Sequence, residues 1–308
     1  MSLATCICAD IGGSFIKFGL SSQAGAVTLI DQCPNPAHSW SDFVGALQQL
    51  IATHHASIAP DAPLAISTTG VVNSRSDTIL AGNIPAFNGH KVTAELTDAL
   101  QRPVVIANDA DCFTLAESRL GKAQGCTIVL GAILGTGVGG GLVINGNIIE
   151  GRGGITAEWG HGPITRTLVS SLSGEELTLP RLACGCGQVG CLDTYGGARG
   201  LERLHQWRHN VAVSSREIIV QWHEKAPQAL ETLHLWLQIV SEPLAFTINI
   251  LGVDKVVVGG GLASEEELIA QLDNAVRQLI LTPTAEKIIE PGQFYHQGGL
   301  VGASFLTR

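Results

Sequence analysis

Charge is scarce in this chain and basic charge scarcer: charged residues make up 15% of 308, with 18 Lys and Arg against 27 Asp and Glu, a formal net charge of −9. No broad basic surface can follow a phosphate backbone, so nucleic acid is excluded as a partner class. The opening segment, residues 1–13, lacks the positive n-region and small-residue cleavage site of a secretory signal, so a cytoplasmic location is expected. Proline is limited to 12 residues, and the 37 glycines have neither the three-residue period of collagen nor the Pro/Ser company of a linker. No low-complexity segment divides the chain. With 45% hydrophobic residues, a chain of this length buries a substantial core, which excludes disorder.

Glycine is present well above its usual share of about 7%, and it clusters inside apolar stretches. Residues 123–149 carry no charge, the length of a membrane-spanning helix. Gly131, Gly135, Gly137, Gly139, Gly140 and Gly141 make a continuous helix there costly. Two buried strands, 127–134 and 142–149, joined by a glycine turn over 135–141, are expected instead, and no membrane partner. The same theme opens the chain: a strand over 3–9, a turn at Gly12-Gly13, strands over 15–20 and 26–33. Helical spacing follows over 43–54, strands at 63–69 and 104–107, a helix to 120, mostly helix over 198–251, and a short strand at 255–258. The repeated theme predicts two related α/β lobes. Ser264 and Glu267 have the spacing of a capping box, which predicts a helix start at that point.

Three groups of residues carry chemistry. In Asp10-Ile11-Gly12-Gly13-Ser14-Phe15-Ile16-Lys17 a strand-end carboxylate can hold hydrated Mg²⁺, glycines let backbone N–H groups approach phosphate, and lysine adds positive charge. The motif returns to a strand where a dinucleotide-binding unit would open a helix, and it lacks the Lys-Ser/Thr ending of a Walker loop. Gly135-Thr136-Gly137-Val138-Gly139 offers a second phosphate turn, and Gly259-Gly260-Gly261 suits a purine or ribose packed closely on backbone. Cys184, Cys186 and Cys191 put three soft ligands within eight residues, enough to wrap most of a tetrahedral Zn²⁺. The fourth ligand is not local; His161 is the best candidate, although spacing alone does not choose it from the 10 histidines. Cys6, Cys8, Cys33, Cys112 and Cys126 lie in apolar segments and read as core. Asn108-Asp109, at a strand end, suits either a general base or a helix N-cap.

These motifs, in this order, with Glu158-Trp159-Gly160-His161 between the second turn and the cysteines, resemble the ROK family of sugar kinases and sugar-responsive repressors over essentially the whole chain. Within the family, stretches 81–85, 133–146 and 184–188 are most similar to N-acetyl-D-glucosamine kinases, and 158–163 also to the fructokinase and mannokinase branch. The resemblance implies a two-lobed, actin-like (ribonuclease-H-like) α/β ATPase fold with a structural zinc loop. The implied division is a smaller lobe over 1–117, joined by a C-terminal helix over 294–308, and a larger lobe with the zinc loop over 118–293. It implies Asp109 as the catalytic base, and Asn83, Asn108, Asp109, Glu158, His161 and Asp193 on the sugar. Asp10, Gly12, Gly13, Ser14, Lys17, Gly135, Thr136, Gly137, Gly139, Gly259, Gly260 and Gly261 would hold Mg·ATP, and His161, Cys184, Cys186 and Cys191 the zinc.

The implied reaction is ATP-dependent phosphorylation of a hexose or N-acetylhexosamine 6-hydroxyl, with N-acetyl-D-glucosamine first. Fructokinase, glucokinase and N-acetylmannosamine kinase activities are the alternatives within the family, and a non-catalytic sugar-responsive regulator the alternative outside catalysis. A repressor would carry a helix-turn-helix ahead of the first phosphate motif, and Asp10 leaves no room for one. A homodimer or higher homo-oligomer is expected by analogy. The sequence departs from the family pattern at Asp193, usually Glu, at Gly197-Ala198, usually Ser-Gly, and at Ser14, usually Thr.

Overall fold

The computed structural model describes residues 3–164 and 166–307; the last residue of the expected helix 294–308 lies outside the described residues. The chain divides into two compact units, one of residues 1–125, 141–156 and 296–308, the other of 126–140 and 157–295. Relative to a single cut at 117/118, residues 118–125 and 141–156 fall with the first unit.

In the first unit, β1 (Cys6–Ile11) pairs antiparallel with β2 (Phe15–Gln23), and β2 with β3 (Ala26–Pro34). The hairpin register sets Asp10 opposite Lys17. Helix α1 (Trp40–Thr53) starts at Ser39, whose side chain accepts from the Asp42 N–H, and buries Phe43, Leu47 and Leu50. Strand β4 (Leu64–Thr68) joins parallel to β1 and brings Ser67 level with Asp10. A hairpin of β5 (Val71–Asn73) and β6 (Thr78–Leu80) and the helix α2 (Val92–Leu100) follow, all unforeseen from the sequence. Strand β7 (Val104–Asn108) completes the sheet, in the order β3-β2-β1-β4-β7, and runs straight into α3 (Asp109–Leu120). Its core holds Ile7, Phe18, Phe43, Ile66 and Phe87, with Phe43 edge-on to Phe87 at 5.2 Å.

The charge-free segment forms β8 (Ile128–Leu134) and β9 (Val138–Ile144), as a pair of strands should. The turn is shorter than expected, 135–137, and the expected strand 142–149 begins at Val138 and breaks after Ile144. The break has a physical cause: Asn145 and Gly146 both take left-handed φ, 51° and 71°, the Asn-Gly signature of a two-residue hairpin turn, and β10 (Asn147–Ile148) returns along β9. This hairpin belongs to the first unit, where Arg119 donates to the Gly146 carbonyl at 2.6 Å and Ser74 donates to Glu150 through its N–H at 2.9 Å and its hydroxyl at 2.5 Å.

The rest of the second unit holds the short pair β11 (Leu168–Ser170) and β12 (Glu176–Thr178), helices α4 (Asp193–Gly196), α5 (Ala198–His209), α6 (Ser215–His223) and α7 (Pro227–Leu251), strand β13 (Lys255–Gly259), helix α8 (Glu266–Arg277) and strand β14 (Ile289–Pro291). The second sheet runs β10-β9-β8-β13-β14, with β8, β13 and β14 parallel. Trp236, Leu130, Val256 and Leu272 are among its core residues. The order repeats that of the first sheet and fits the duplicated sheets of an actin-like ATPase fold. The Ser264 capping box does not form: Ser264 ends a short 3-10 turn and donates to the Gly261 carbonyl, and α8 begins two residues later without a side-chain cap. Of the five scattered cysteines, Cys6, Cys8 and Cys112 are core, whereas Cys33, on the edge strand β3, and Cys126, ahead of β8, are half-buried.

The C-terminal helix α9 (Gly298–Ala303) belongs to the first unit and lies against α3. Its glycines make that approach possible. A methyl group at Gly302 would overlap the Cys112 backbone, 2.6 Å from its Cα, and one at Gly298 would lie 3.0 Å from the Phe113 Cα. Backbone cannot retreat as a flexible side chain can, so Gly302→Ala is expected to destabilise the first unit by about 1–3 kcal/mol. A thermal melt is the measurement, and an unchanged transition temperature would contradict this packing.

Candidate active site

In the first unit the β1–β2 hairpin, the end of β4 and the β7–α3 junction bring together Asp10, Lys17, Ser67, Asn108 and Asp109. Ser67 donates to Asp10 Oδ1 at 2.9 Å and Lys17 Nζ lies 3.4 Å from Oδ2, so both Asp10 oxygens face a donor. The glycine turn is closed by the Gly12 N–H to the Phe15 carbonyl at 3.0 Å. Asn35 fixes it from outside, donating through Nδ2 to the Gly12 carbonyl at 2.7 Å and through its backbone N–H to the Ser14 carbonyl at 2.9 Å. Ser14 is exposed. Gly13 leaves room for Asn83: a Cβ there would be 3.1 Å from Asn83 Nδ2. Asn83 and the turn are therefore neighbours.

Asn108 is the N-cap of α3, accepting from the N–H groups of Ala110 at 2.8 Å and Asp111 at 3.3 Å, while its Nδ2 donates to the Gly70 carbonyl. The N-cap and site readings of Asn108-Asp109 are therefore compatible: the cap is Asn108, and Asp109 is the first helical residue. Asp109 accepts from the N–H of its neighbour Ala110 at 2.9 Å. Its side chain is open to solvent on one side and hemmed in by protein on the others. That desolvation, with the like charge of Asp10 second, raises its pKa to about 6.

The second unit holds the other group. Gly135 and Gly137 close the β8–β9 turn, the Gly135 N–H donating to the Gly137 carbonyl at 3.1 Å, with Thr136 exposed at its tip. The turn is packed from behind by backbone. A methyl at Gly197 would sit 2.6 Å from Gly137 Cα, and one at Gly260, which has φ of 84°, would sit 2.5 Å from the Leu134 carbonyl carbon. Gly259 ends β13, and Gly261 opens the 3-10 turn that follows. Gly139 accepts from the Trp159 indole N–H at 2.7 Å, which seats the segment carrying Glu158 and His161.

Glu158 Oε2 lies 3.8 Å from His161 Nε2. Burial raises the Glu158 pKa, with Asp193 adding to the rise against the effect of His161. The other ring nitrogen, His161 Nδ1, lies 3.7 Å from Cys184 Sγ, and Cys186 Sγ lies 3.7 Å from Cys191 Sγ. All four ligand atoms fall within 4.8 Å of one another. Bonds of 2.3 Å from sulfur to a tetrahedral zinc put neighbouring sulfurs about 3.8 Å apart, so the spacing and the donor set both fit that ion. The distant fourth ligand is delivered by the 3-10 turn Trp159–His161.

The expected residues thus fall into two sets: Asp10, Gly12, Gly13, Ser14, Lys17, Asn83, Asn108 and Asp109 in the first unit, and Gly135, Thr136, Gly137, Gly139, Glu158, His161, Asp193, Gly259, Gly260, Gly261 and the cysteines in the second. Sequence reasoning missed Ser67, Asn35 and Gly299. A methyl at Gly299 would lie 2.5 Å from Asp10 Oδ1 and 2.6 Å from Ser67 Oγ, so this glycine shapes the surroundings of Asp10. The spacing Gly298-Gly299-x-x-Gly302 was the available signal for a close helix contact.

Residues 6–308 match the ROK family. The N-acetyl-D-glucosamine kinase of Salmonella gallinarum is 33% identical over 297 residues, covering 96% of this chain and 97% of that one. Among solved structures, the ROK hexokinase from Thermus thermophilus has a TM-score of 0.81 at 28% identity, over 97% of this chain and 96% of that one. The ROK glucokinase from Streptomyces griseus, in complex with glucose and AMPPNP, has a TM-score of 0.76 at 24% identity over 97% of both, a likeness of fold.

The Asp109 carboxyl is expected to titrate near pH 6. Asp10→Asn removes the like charge and lowers that value. Carboxyl-carbon NMR of aspartate-labelled protein reads it directly, and a value in the ordinary Asp range near 4 would refute the crowding described for Asp109.

Proposed function

The chain belongs to the ROK family, and from that premise we propose that it transfers the γ-phosphoryl group of ATP to the 6-hydroxyl of N-acetyl-D-glucosamine, with Asp109 as the base. That it is an ATP-dependent sugar kinase follows from the family and its curated relatives. The sugar and the residue roles are the proposal. The observation that carries the chemistry is the placement of the Asp109 carboxylate at the β7–α3 junction beside Asp10; with its pKa pushed up to about 6, such a group is ionised at neutral pH yet basic enough to accept a proton.

In this reading Asp109 takes the 6-hydroxyl proton as that oxygen bonds to the γ-phosphorus and the bond from phosphorus to the β,γ-bridging oxygen breaks, leaving ADP. Asn83, Asn108, Glu158 and His161 bind and orient the sugar. Lys17, the Gly12-Gly13-Ser14 turn and the Gly135–Gly139 turn hold the phosphates, and Gly259, Gly260 and Gly261 approach the nucleoside. Magnesium, held through Asp10, supplies charge neutralisation when bound, in keeping with a reaction that depends on positioning and electrostatics. His161, Cys184, Cys186 and Cys191 would hold zinc, which would fix the loop that presents Glu158 and His161. N-acetyl-D-glucosamine is favoured by the 33% identity to a kinase of that name along nearly the full chain. A cytoplasmic homodimer or higher homo-oligomer is the expected state, measured by light scattering; among the described residues no helix is long and apolar enough to cross a membrane.

Incubation with MgATP and a panel of N-acetylglucosamine, N-acetylmannosamine, glucose, fructose and mannose tests the activity, and absence of ADP formation with every sugar would sink it. Asp109→Asn is expected to reduce kcat by more than a thousandfold, on the order of a lost general base, with sugar binding still measurable by calorimetry. Because the base works unprotonated, kcat/KM should fall about tenfold per pH unit below roughly pH 6 and level off above it. Metal analysis should find one zinc per chain, released by thiol-modifying reagents; a metal-free, fully active protein would rule out the zinc assignment.

A further inference from the structure

We propose that Asp193 is a positioning residue that ties the cysteine loop to the phosphate turn, so that the state of the loop sets nucleotide affinity. The inference rests on reading 135–139 as the nucleotide turn and the cysteine cluster as a metal site. Asp193 begins α4, two residues after Cys191. Its Oδ1 accepts the Val138 N–H at 2.7 Å, and its Oδ2 faces the Cys184 thiol at 3.9 Å. Oδ1 is therefore engaged by the first residue of β9, and Oδ2 lies beside the cysteine cluster, both within the second unit. The shorter side chain, Asp where the family pattern has Glu, has one oxygen on backbone.

The connection is stiff at both ends. On the loop side, the Cys184 N–H donates to the Gln188 carbonyl, the Gly187 N–H to the Cys184 carbonyl, and Thr194 donates to the Cys191 carbonyl through its N–H at 3.1 Å and its hydroxyl at 2.8 Å. On the turn side, Gly137 has no room for a side chain, because a Cβ there would overlap Asp193 Oδ1. Residues just beyond Asp193 hold the same turn, with the Ala198 N–H on the Gly135 carbonyl at 2.8 Å and the Arg199 N–H on the Thr136 carbonyl at 3.3 Å. One continuous segment, 191–199, thus leaves the cysteine cluster and ends against the backbone whose N–H groups would meet phosphate. A displacement of the loop has a direct path to Val138 through a single carboxylate.

Calorimetry with Mg·AMPPNP and hydrogen exchange of peptides spanning 134–140 test this together. Asp193→Ala should weaken nucleotide binding about tenfold, the scale of one charged hydrogen bond, and speed exchange across the turn. Asp193→Asn keeps an acceptor for Val138 and should hold both readouts within about twofold. Removing the metal from wild type with 1,10-phenanthroline should reproduce the Ala effect and add little to the Ala variant, the signature of one shared path. Three results overturn the proposal: Asn as damaging as Ala, lost sugar affinity with nucleotide affinity unchanged, or nucleotide affinity indifferent to chelation. A protein that binds Mg·AMPPNP with this coupling but phosphorylates no sugar defeats the kinase reading alone.

Discussion

The first unit depends on backbone approaching backbone around α3, the helix that begins with Asp109. Gly298 and Gly302 of α9 meet it at Cys112 and Phe113, and Gly141 of β9 meets it elsewhere, where a methyl would lie 2.6 Å from the Ala110 carbonyl oxygen and 2.7 Å from Thr114 Oγ1. Side chains at these positions would hold the helix off by their own width. Glycine pays in unfolded-state entropy, and what it secures here is a helix whose first turn cannot shift without moving two other segments, α9 and β9. The base candidate inherits that rigidity. A carboxylate that has to meet one hydroxyl at one angle gains from a fixed helix start more than from any added hydrogen bond.

The second unit uses the same device around a turn instead of a helix. Gly197 against Gly137, Gly260 against Leu134 and Gly140 against the Ala157 carbonyl at 2.5 Å place backbone behind the β8–β9 turn on several sides. The turn's outward N–H groups then remain for a ligand, since its inward polar groups are already used. Asp193 belongs to this support, and its engagement by Val138 follows from the close fit at Gly137. Glycine excess in this chain is thus largely a matter of contact distance, with positive φ needed at particular points such as Gly260 and Gly146.

Much of this was legible in the sequence because the signals were local. Alternation and glycine marked the β1–β2 hairpin, three cysteines in eight residues marked the metal loop, and a strand ending in Asn-Asp marked the β7–α3 junction. What was not legible depended on partners distant in sequence. Ser67 comes to Asp10 only through the parallel register of β4, and Asn35 reaches Gly12 only because β3 folds back along β2. His161 was singled out among ten histidines by resemblance, since nothing in its own neighbourhood announces Cys184 as a partner. The failed capping box has the opposite origin: Ser264 and Glu267 have the right spacing, but the chain leaves Gly260 in a 3-10 turn, and Ser264 spends its hydroxyl on the Gly261 carbonyl.

The two carboxylates of the first unit show how one sheet edge can assign two roles to the same side chain. Asp10 has a hydroxyl on one oxygen and an ammonium near the other, an arrangement suited to a cation. Asp109 has neither; it accepts from the adjacent N–H, and desolvation with the like charge of Asp10 raises its pKa. Each therefore makes the other's role possible, because an ionised Asp10 raises the proton affinity of Asp109. A carboxylate whose pKa is raised by its surroundings is a general mark of acid–base work. Gly299 contributes to it through absence: by leaving space beside Asp10 and Ser67, it lets the first carboxylate keep the partners that define the second as the base.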